Sequence, residues 1–187
     1  TIEEIKIIRK GSEAKKFDAA EVFVSYFDQK DIIAKEREAA KNLIKEKNAV
    51  KFDAQRSTAK TTPSGLQYLI TAQGNGTSVK STNKVKVHYA VYFADGALLE
   101  TSKAEIAEFN EVLNIQRKNA GQYLPIEASV GPEDGMIEGF KEGLRLLNEG
   151  DKATLFLPYT LAYGANGVQG IPPQSDLIFE VEIVEVQ

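Results

Sequence analysis

The sequence contains no cysteine and no tryptophan, one histidine, one methionine and six prolines among 187 residues. Without cysteine, disulfides and thiolate metal sites are excluded, and a cysteine-free chain suits the cytosol and an exported compartment equally. With His88 as the only histidine, no His-pair zinc site can form, and any Ser-His-Asp triad would have to use it. No run approaches the eighteen or so apolar residues of a membrane span. The chain opens at Thr1 with neither a signal-peptide pattern nor a methionine, so a processed form or an excised piece is expected.

What is there is an ordinary globular composition, 42% hydrophobic and 27% charged. The net charge of −4 is unevenly spread: residues 1–60 carry 14 Lys/Arg against 11 Asp/Glu, and residues 61–187 carry 9 against 16. The acidic second part is a poor candidate for binding a phosphate backbone, so no nucleic-acid partner is expected. The alternating signs of the first part read as a solvated helix face.

Residues 1–9, TIEEIKIIR, alternate loosely and could form a short strand before Lys10-Gly11-Ser12. From Phe17 to about Arg56 the period becomes helical. Asp18 with Glu21 has capping-box spacing, and Val22, Phe23, Tyr26 and Phe27 share a face. Asp31 is expected to start a second helix, in which Ile32, Ala39, Leu43 and Val50 form a narrow apolar stripe. That stripe fits either a helix lying on its own C-terminal domain or a dimerisation arm. The small polar segment Ser57–Ser64 reads as a linker, dividing a mostly helical extension, 1–60, from a second domain, 61–187.

In the second domain, strands are expected at Leu66–Thr71, Lys84–Ala94, Ile126–Val130, Lys152–Leu157 and Leu177–Val186, with a short helix at Ile137–Leu147. The expected fold class is α+β: an antiparallel β-sheet wrapped around a short α-helix, preceded by a helical N-terminal extension. Lys103–Tyr123 suggests one amphipathic helix carrying Glu105, Ile106, Phe109, Val112, Leu113 and Gln116, as packing or as a flap touching protein substrates.

Few residues offer conventional catalytic chemistry. His88 alternates away from the strand face carrying Tyr89 and reads as structural. Gly164, Gly167 and Gly170 run into Ile171-Pro172-Pro173, which cannot open the helix a phosphate cradle requires, so they read as turn formers. Glu133 and Asp134 read as solvated acids in a turn. An apolar and aromatic set remains: Tyr89, Leu99, Ile126, Met136, Ile137, Phe140, Tyr163, Ile171 and Phe179.

Several segments give that set a meaning. SGLQY at 64–68, VKVHY at 85–89, Asp95-Gly96, LETS at 99–102, MIEGFKEGL at 136–144, GDKATLFLP at 150–158, then LAYG, GIPP and LIFEVEIVEV stand in one order. In that order and spacing the chain resembles the FKBP-type peptidyl-prolyl cis-trans isomerases, the macrolide-binding immunophilins, over about Thr62–Gln187. The resemblance implies an isomerase of proline-containing polypeptides that assists folding, with no cofactor and no metal. It implies catalytic roles for Tyr89, Glu100, Ile137 through its backbone N–H, Tyr163 through its hydroxyl, and Phe179. Leu99, Ile126, Met136, Phe140 and Ile171 would bind substrate, with Phe140 as the floor.

The chain departs from the family pattern at Leu99-Glu100, usually Phe-Asp, at Phe140, usually Trp, and in a Gly-Pro loop one residue shorter. Macrolide inhibitors are therefore expected to bind with reduced affinity, and a catalytically weak module acting as chaperone or docking domain is the alternative. The TTPSGLQY junction is similar to that of the macrophage infectivity potentiator-like bacterial subgroup. That likeness implies an exported, periplasmic protein, with a cytoplasmic one as the alternative, and a homodimer through the N-terminal helices. Residues 1–9 look like the last strand of a cyclophilin-type domain, which would make the chain the C-terminal part of a fusion.

Overall fold

The computed structural model describes residues 18–132 and 135–187, apart from the side chains of 19–23. The expected strand over 1–9, the Glu21, Val22 and Phe23 side chains, and Glu133 with Asp134 lie outside them. The chain divides after Ala40 into two compact units. Of the first, the described part is helical, with Val24, Tyr26, Phe27, Ile32 and Ile33 exposed and the Tyr26 and Phe27 rings edge-to-face at 5.5 Å.

One unbroken helix, α1, runs from Ala19 to Arg56, directly after Asp18. The second helix expected at Asp31 does not exist as a separate element. No glycine or proline falls between Ala19 and Arg56, and an aspartate inside a helix costs only a few tenths of a kcal/mol, too little to break it.

Seven strands form one antiparallel sheet: β1 (Lys60–Thr61), β2 (Gln67–Ala72), β3 (Lys84–Phe93), β4 (Leu98–Thr101), β5 (Ile126–Ser129), β6 (Lys152–Leu157) and β7 (Leu177–Val186), in the order β1-β2-β6-β7-β3-β4. β3 shares its outer edge between two partners, β5 along Lys84–Val87 and β4 along Ala90–Tyr92. Two strands escape the alternation pattern: β1, two residues inside the polar segment Ser57–Ser64, and β4, which has only four. The segment expected as one amphipathic helix over Lys103–Tyr123 is two short ones, α2 (Ala104–Phe109) and α3 (Ile115–Asn119). Between them the Asn110 side chain donates to the Ile106 carbonyl, and Glu111 turns into the left-handed region at φ 56°.

The sheet is covered on both faces. Val85, Val87, Leu155, Leu157, Leu177, Val181 and Ile183 point to one side, where helix α4 (Glu138–Leu144) closes the main core with Leu144. α4 lies very near β6. A Cβ at Gly143 would stand 2.4 Å from Leu155, and one at Gly139 would stand 2.7 Å from Leu157. On the other face Ala90, Tyr92, Phe156 and Ile178 meet Phe52 of α1, with the Phe52 and Tyr92 rings 4.9 Å apart.

Polar contacts fix the last turns of α1 to the sheet. Asn48 Nδ2 donates to both Gly96 O and Asn110 Oδ1 at 3.0 Å, tying the helix to the β3–β4 turn and to α2. Gly96, at φ +85°, has to be glycine on two counts, since a Cβ would also meet the Lys45 carbonyl at 2.2 Å. Lys51 pairs with Glu180 at 2.5 Å and Lys45 with Asp95 at 2.7 Å. At about 100° per residue, Leu43 and Val50 fall on the side of α1 opposite Phe52, and both are exposed.

Phe52 is 1% exposed and Val50 71%. Urea unfolding is therefore expected to show a loss of about 3–5 kcal/mol for Phe52→Ala and less than about 0.5 kcal/mol for Val50→Ala. Equal costs for the two would contradict the packing of α1 on the sheet.

Candidate active site

Between α4 and the concave side of the sheet lies a cleft of about 500 Å³, and all ten residues proposed from the sequence line it. Strand alternation aims Tyr89 of β3 and Phe179 of β7 to the same face, and Val91, in register with Phe179, lies on that face too. Val91 was missed from the sequence, though its spacing of two from Tyr89 could have found it. Leu99 and Glu100 come from β4 and Ile126 from the start of β5. Phe140 projects from the first turns of α4, its ring 5.2 Å from that of Phe179 and tilted by 48°. The two rings make the floor.

The turn that leads into α4 brings Gly135, Met136 and Ile137 to the rim. It is held from below by buried contacts. Lys141, fully buried, donates from Nζ to the Pro132 carbonyl at 3.0 Å and pairs with Glu138 at 2.8 Å. Arg145 Nη1 donates to the Val130 carbonyl at 2.6 Å. Ile137 is the residue before the helix, so its N–H has no acceptor within α4. This is the usual arrangement at a helix start, and Ile137 itself lines the cleft.

The opposite rim is the glycine loop. Gly167 sits at φ +65°, where a Cβ would strike the Ile171 carbonyl at 2.4 Å. Val168 and Ile171 then bond each other's backbones at 3.0 and 2.9 Å. This tight turn presents Val168, Gln169 and Ile171 to the cleft, and Tyr163 lines it from the segment before the turn. Val168 and Gln169 follow no period, so no sequence signal could have found them.

At Tyr89 the neighbour of β3 changes from β5 to β4, and Thr101 and Ser102, both buried, satisfy its backbone on that edge. The Ser102 N–H and Thr101 Oγ1 donate to Tyr89 O at 2.9 and 2.8 Å, and Ser102 Oγ accepts from Tyr89 N at 2.9 Å. These two residues hold the strand that aims Tyr89, a role the sequence reading did not foresee. His88 points to the other face, its Nδ1 3.0 Å from Ser102 Oγ, with its pKa lowered by partial burial and by the nearby Lys103 charge.

Apolar walls dominate the electrostatics. Burial pushes the Tyr89 phenol up to about 12, helped by the charge of Glu100 and a hydrogen bond to it. Glu100 is the one charged side chain among the lining residues. Outside the cleft, Arg117 of α3 reaches it, Nη1 to Oε1 at 3.8 Å. Tyr163, 39% exposed, lines the cleft. Such a site can desolvate and orient a small apolar group, and it holds no candidate nucleophile beside a base.

Residues 75–184 match the family described as FKBP-type peptidyl-prolyl cis-trans isomerase. The chain belongs to that family. Among its FKBP relatives, FkpA of Aeromonas hydrophila is 31% identical over 154 residues, covering 81% of this chain and 49% of that protein. A probable FKBP-type isomerase of Haemophilus influenzae is 37% identical over 134 residues, covering 71% and 47%. The crystal structure of FkpA from Escherichia coli superposes with a TM-score of 0.57 at 29% identity, over 92% of this chain and 74% of that one. The chain thus spans about half the length of the curated relatives it matches, and these FKBP relatives are bacterial proteins. Nothing in these likenesses supports the cyclophilin resemblance of residues 1–9. Among the described residues no helix is long and apolar enough to cross a membrane.

Proposed function

We propose that the cleft accelerates cis–trans rotation of X-Pro bonds in proline-containing polypeptides, as an FKBP-type prolyl isomerase domain over 61–187. The convergence of ten residues on one ring-floored cleft carries this reading. Amide resonance sets a barrier of about 18–20 kcal/mol to the rotation. In the twisted transition state that resonance is lost, and the carbonyl is less dipolar than in the planar amide. A dry cleft therefore penalises the planar form more than the twisted one.

The prolyl ring rests on Phe140 and Phe179, between Tyr89, Leu99, Ile126, Met136 and Ile171. The Ile137 N–H and the Tyr163 O–H donate to carbonyls of the bound chain and hold it while the bond turns. Glu100 stands beside the turning amide. A rate gain of roughly 10⁴ requires about 5–6 kcal/mol of differential stabilisation, within the range of several desolvating contacts and two oriented hydrogen bonds. Leu99 and Phe140 fill less volume than the Phe and Trp of the usual pattern, so macrolide inhibitors bind more weakly than to proteins that keep those rings.

A second reading, a weak isomerase acting as a chaperone or docking module, draws support from the apolar side chains that α2, α3 and their flanks leave exposed: Phe109 (60%), Val112, Ile115 and Leu124. The N-terminal extension is a dimerisation arm in either reading, because α1 meets its own sheet through Asn48 and Phe52 and leaves Leu43 and Val50 uncovered. We place the protein in an exported, periplasmic compartment, in keeping with the likeness of its junction to the potentiator-like subgroup. Cell fractionation that finds it in the cytoplasm would contradict this.

In a protease-coupled assay on a Leu-Pro peptide, Phe140→Ala and Tyr163→Phe are each expected to lower kcat/KM about tenfold or more, a loss of at least about 1.4 kcal/mol. No acceleration by the wild type would defeat the isomerase reading, and suppression of aggregation untouched by both variants would favour the chaperone one. Sedimentation is expected to show a dimer that Leu43→Glu together with Val50→Glu converts to a monomer; an unaltered dimer would rule out the α1 stripe.

A further inference from the structure

Glu100 is the one charged side chain lining the cleft, and the cation facing its carboxylate comes from outside the core fold. Arg117 lies on α3, in the segment between β4 and β5, and its Nη1 stands 3.8 Å from Glu100 Oε1. The residue is fixed on both sides. Its backbone N–H donates to Asn114 Oδ1 at 3.0 Å, and its carbonyl accepts from Gln122 N–H at 2.9 Å. Its guanidinium stacks on the Tyr123 ring, 4.8 Å from the centroid. The Tyr123 hydroxyl in turn accepts the Asn114 N–H at 3.1 Å, which closes a small frame around the side chain. A stacked, planar guanidinium loses less freedom in making such a contact than a lysine would.

We infer that Arg117 is a specificity-determining residue, which balances Glu100 so that the cleft accepts polypeptides with either charge on the residue before proline. The inference rests on the isomerase reading. If the prolyl ring occupies the floor, the preceding residue lies one Cα step, about 3.8 Å, away, and its side chain leaves the cleft past the rim. Glu100 forms that rim and is half exposed. A carboxylate alone there would attract Lys or Arg before proline and repel Asp or Glu. Arg117 cancels that bias and leaves the apolar floor as the main source of affinity. The charge of Arg117 also acts directly on the Tyr89 phenol and opposes the rise in its pKa that burial and Glu100 cause.

The test uses the full chain and three short peptides with Glu, Leu or Lys before proline, with kcat/KM read by exchange NMR at low salt and without a protease. In wild type the Glu-Pro and Lys-Pro rates should lie within about threefold of each other, the range of an exposed ion pair. Arg117→Gln should lower the Glu-Pro to Lys-Pro ratio about fivefold, Glu100→Gln should raise it by a similar factor, and Arg117→Lys should leave it near wild type. About 0.5 M salt should compress both shifts, since screening then acts within a few ångströms. Ratios that stay put in both neutralising variants would overturn the inference, as would an Arg117→Gln loss equal on all three peptides, which marks a merely structural role. Failure of wild type on the Leu-Pro peptide is the separate outcome that defeats the isomerase reading, and this inference with it.

Discussion

Helix α4 reaches the sheet only because two of its residues lack side chains. With any larger residue at Gly139 or Gly143 the helix would have to lift off Leu157 or Leu155. The floor rings would then part, since Phe140 lies between those glycines and meets Phe179 across the same interface. The spacing of helix and sheet thus sets the depth of the cleft. It also sets the rim, because the turn carrying Met136 and Ile137 is anchored to α4 through Lys141 and Arg145. Burying a lysine is costly unless its charge is paired and its protons are bonded. Here the Pro132 carbonyl and the Glu138 carboxylate are two of the groups that meet that requirement, and they tie the turn to the helix.

The opposite wall has a different origin. β4 and its continuation at Thr101 and Ser102 take over from β5 at the middle of β3, and this changeover sets Tyr89, Leu99 and Glu100 side by side. The same wall is braced from the far face of the sheet by α1, whose Asn48 bonds both the β3–β4 turn and α2. The floor residue Phe140 and the shortened Gly-Pro loop also depart from the family pattern, but most of this chain's own features gather at the braced wall. Leu99, Glu100, Arg117 and the two short helices are all there.

Much of this was legible in the sequence for physical reasons. Leu177–Val186 alternates beyond Phe179 because its inward residues pack the main core while Glu180, Glu182 and Val184 are more open. Lys152–Leu157 is buried on both faces from Ala153 on, and both strands ended where expected. The ten cleft residues could be named only once the ordered segments supplied a family; taken singly, nine of them were indistinguishable from core, and Glu100 from a solvated acid. Two of the misses share a cause, in that polar side chains decided the geometry. Asn110 broke the expected long helix by bonding Ile106 and Asn48, contacts with no signature in an apolar period. The face of α1 that packs on the sheet includes Asn48, Gln55 and Arg56 beside Phe52, so the visible stripe pointed elsewhere. Arg117 is seventeen residues from Glu100, and only the fold of the intervening segment joins them.

The central claim is that rotation is helped by desolvation and orientation alone, with no proton in flight. Tyr89 stays protonated until near its raised pKa of about 12, and the lowered pKa of His88 leaves it neutral at and above neutrality, so neither group changes charge in the working range. The direct measurement is kcat/KM on an uncharged X-Pro peptide from about pH 7 to about pH 10, in light and heavy water. The account predicts a flat profile and a solvent isotope effect near unity. A bell-shaped or sloping profile, or an isotope effect of about two or more, would show a proton moving in the transition state and contradict it.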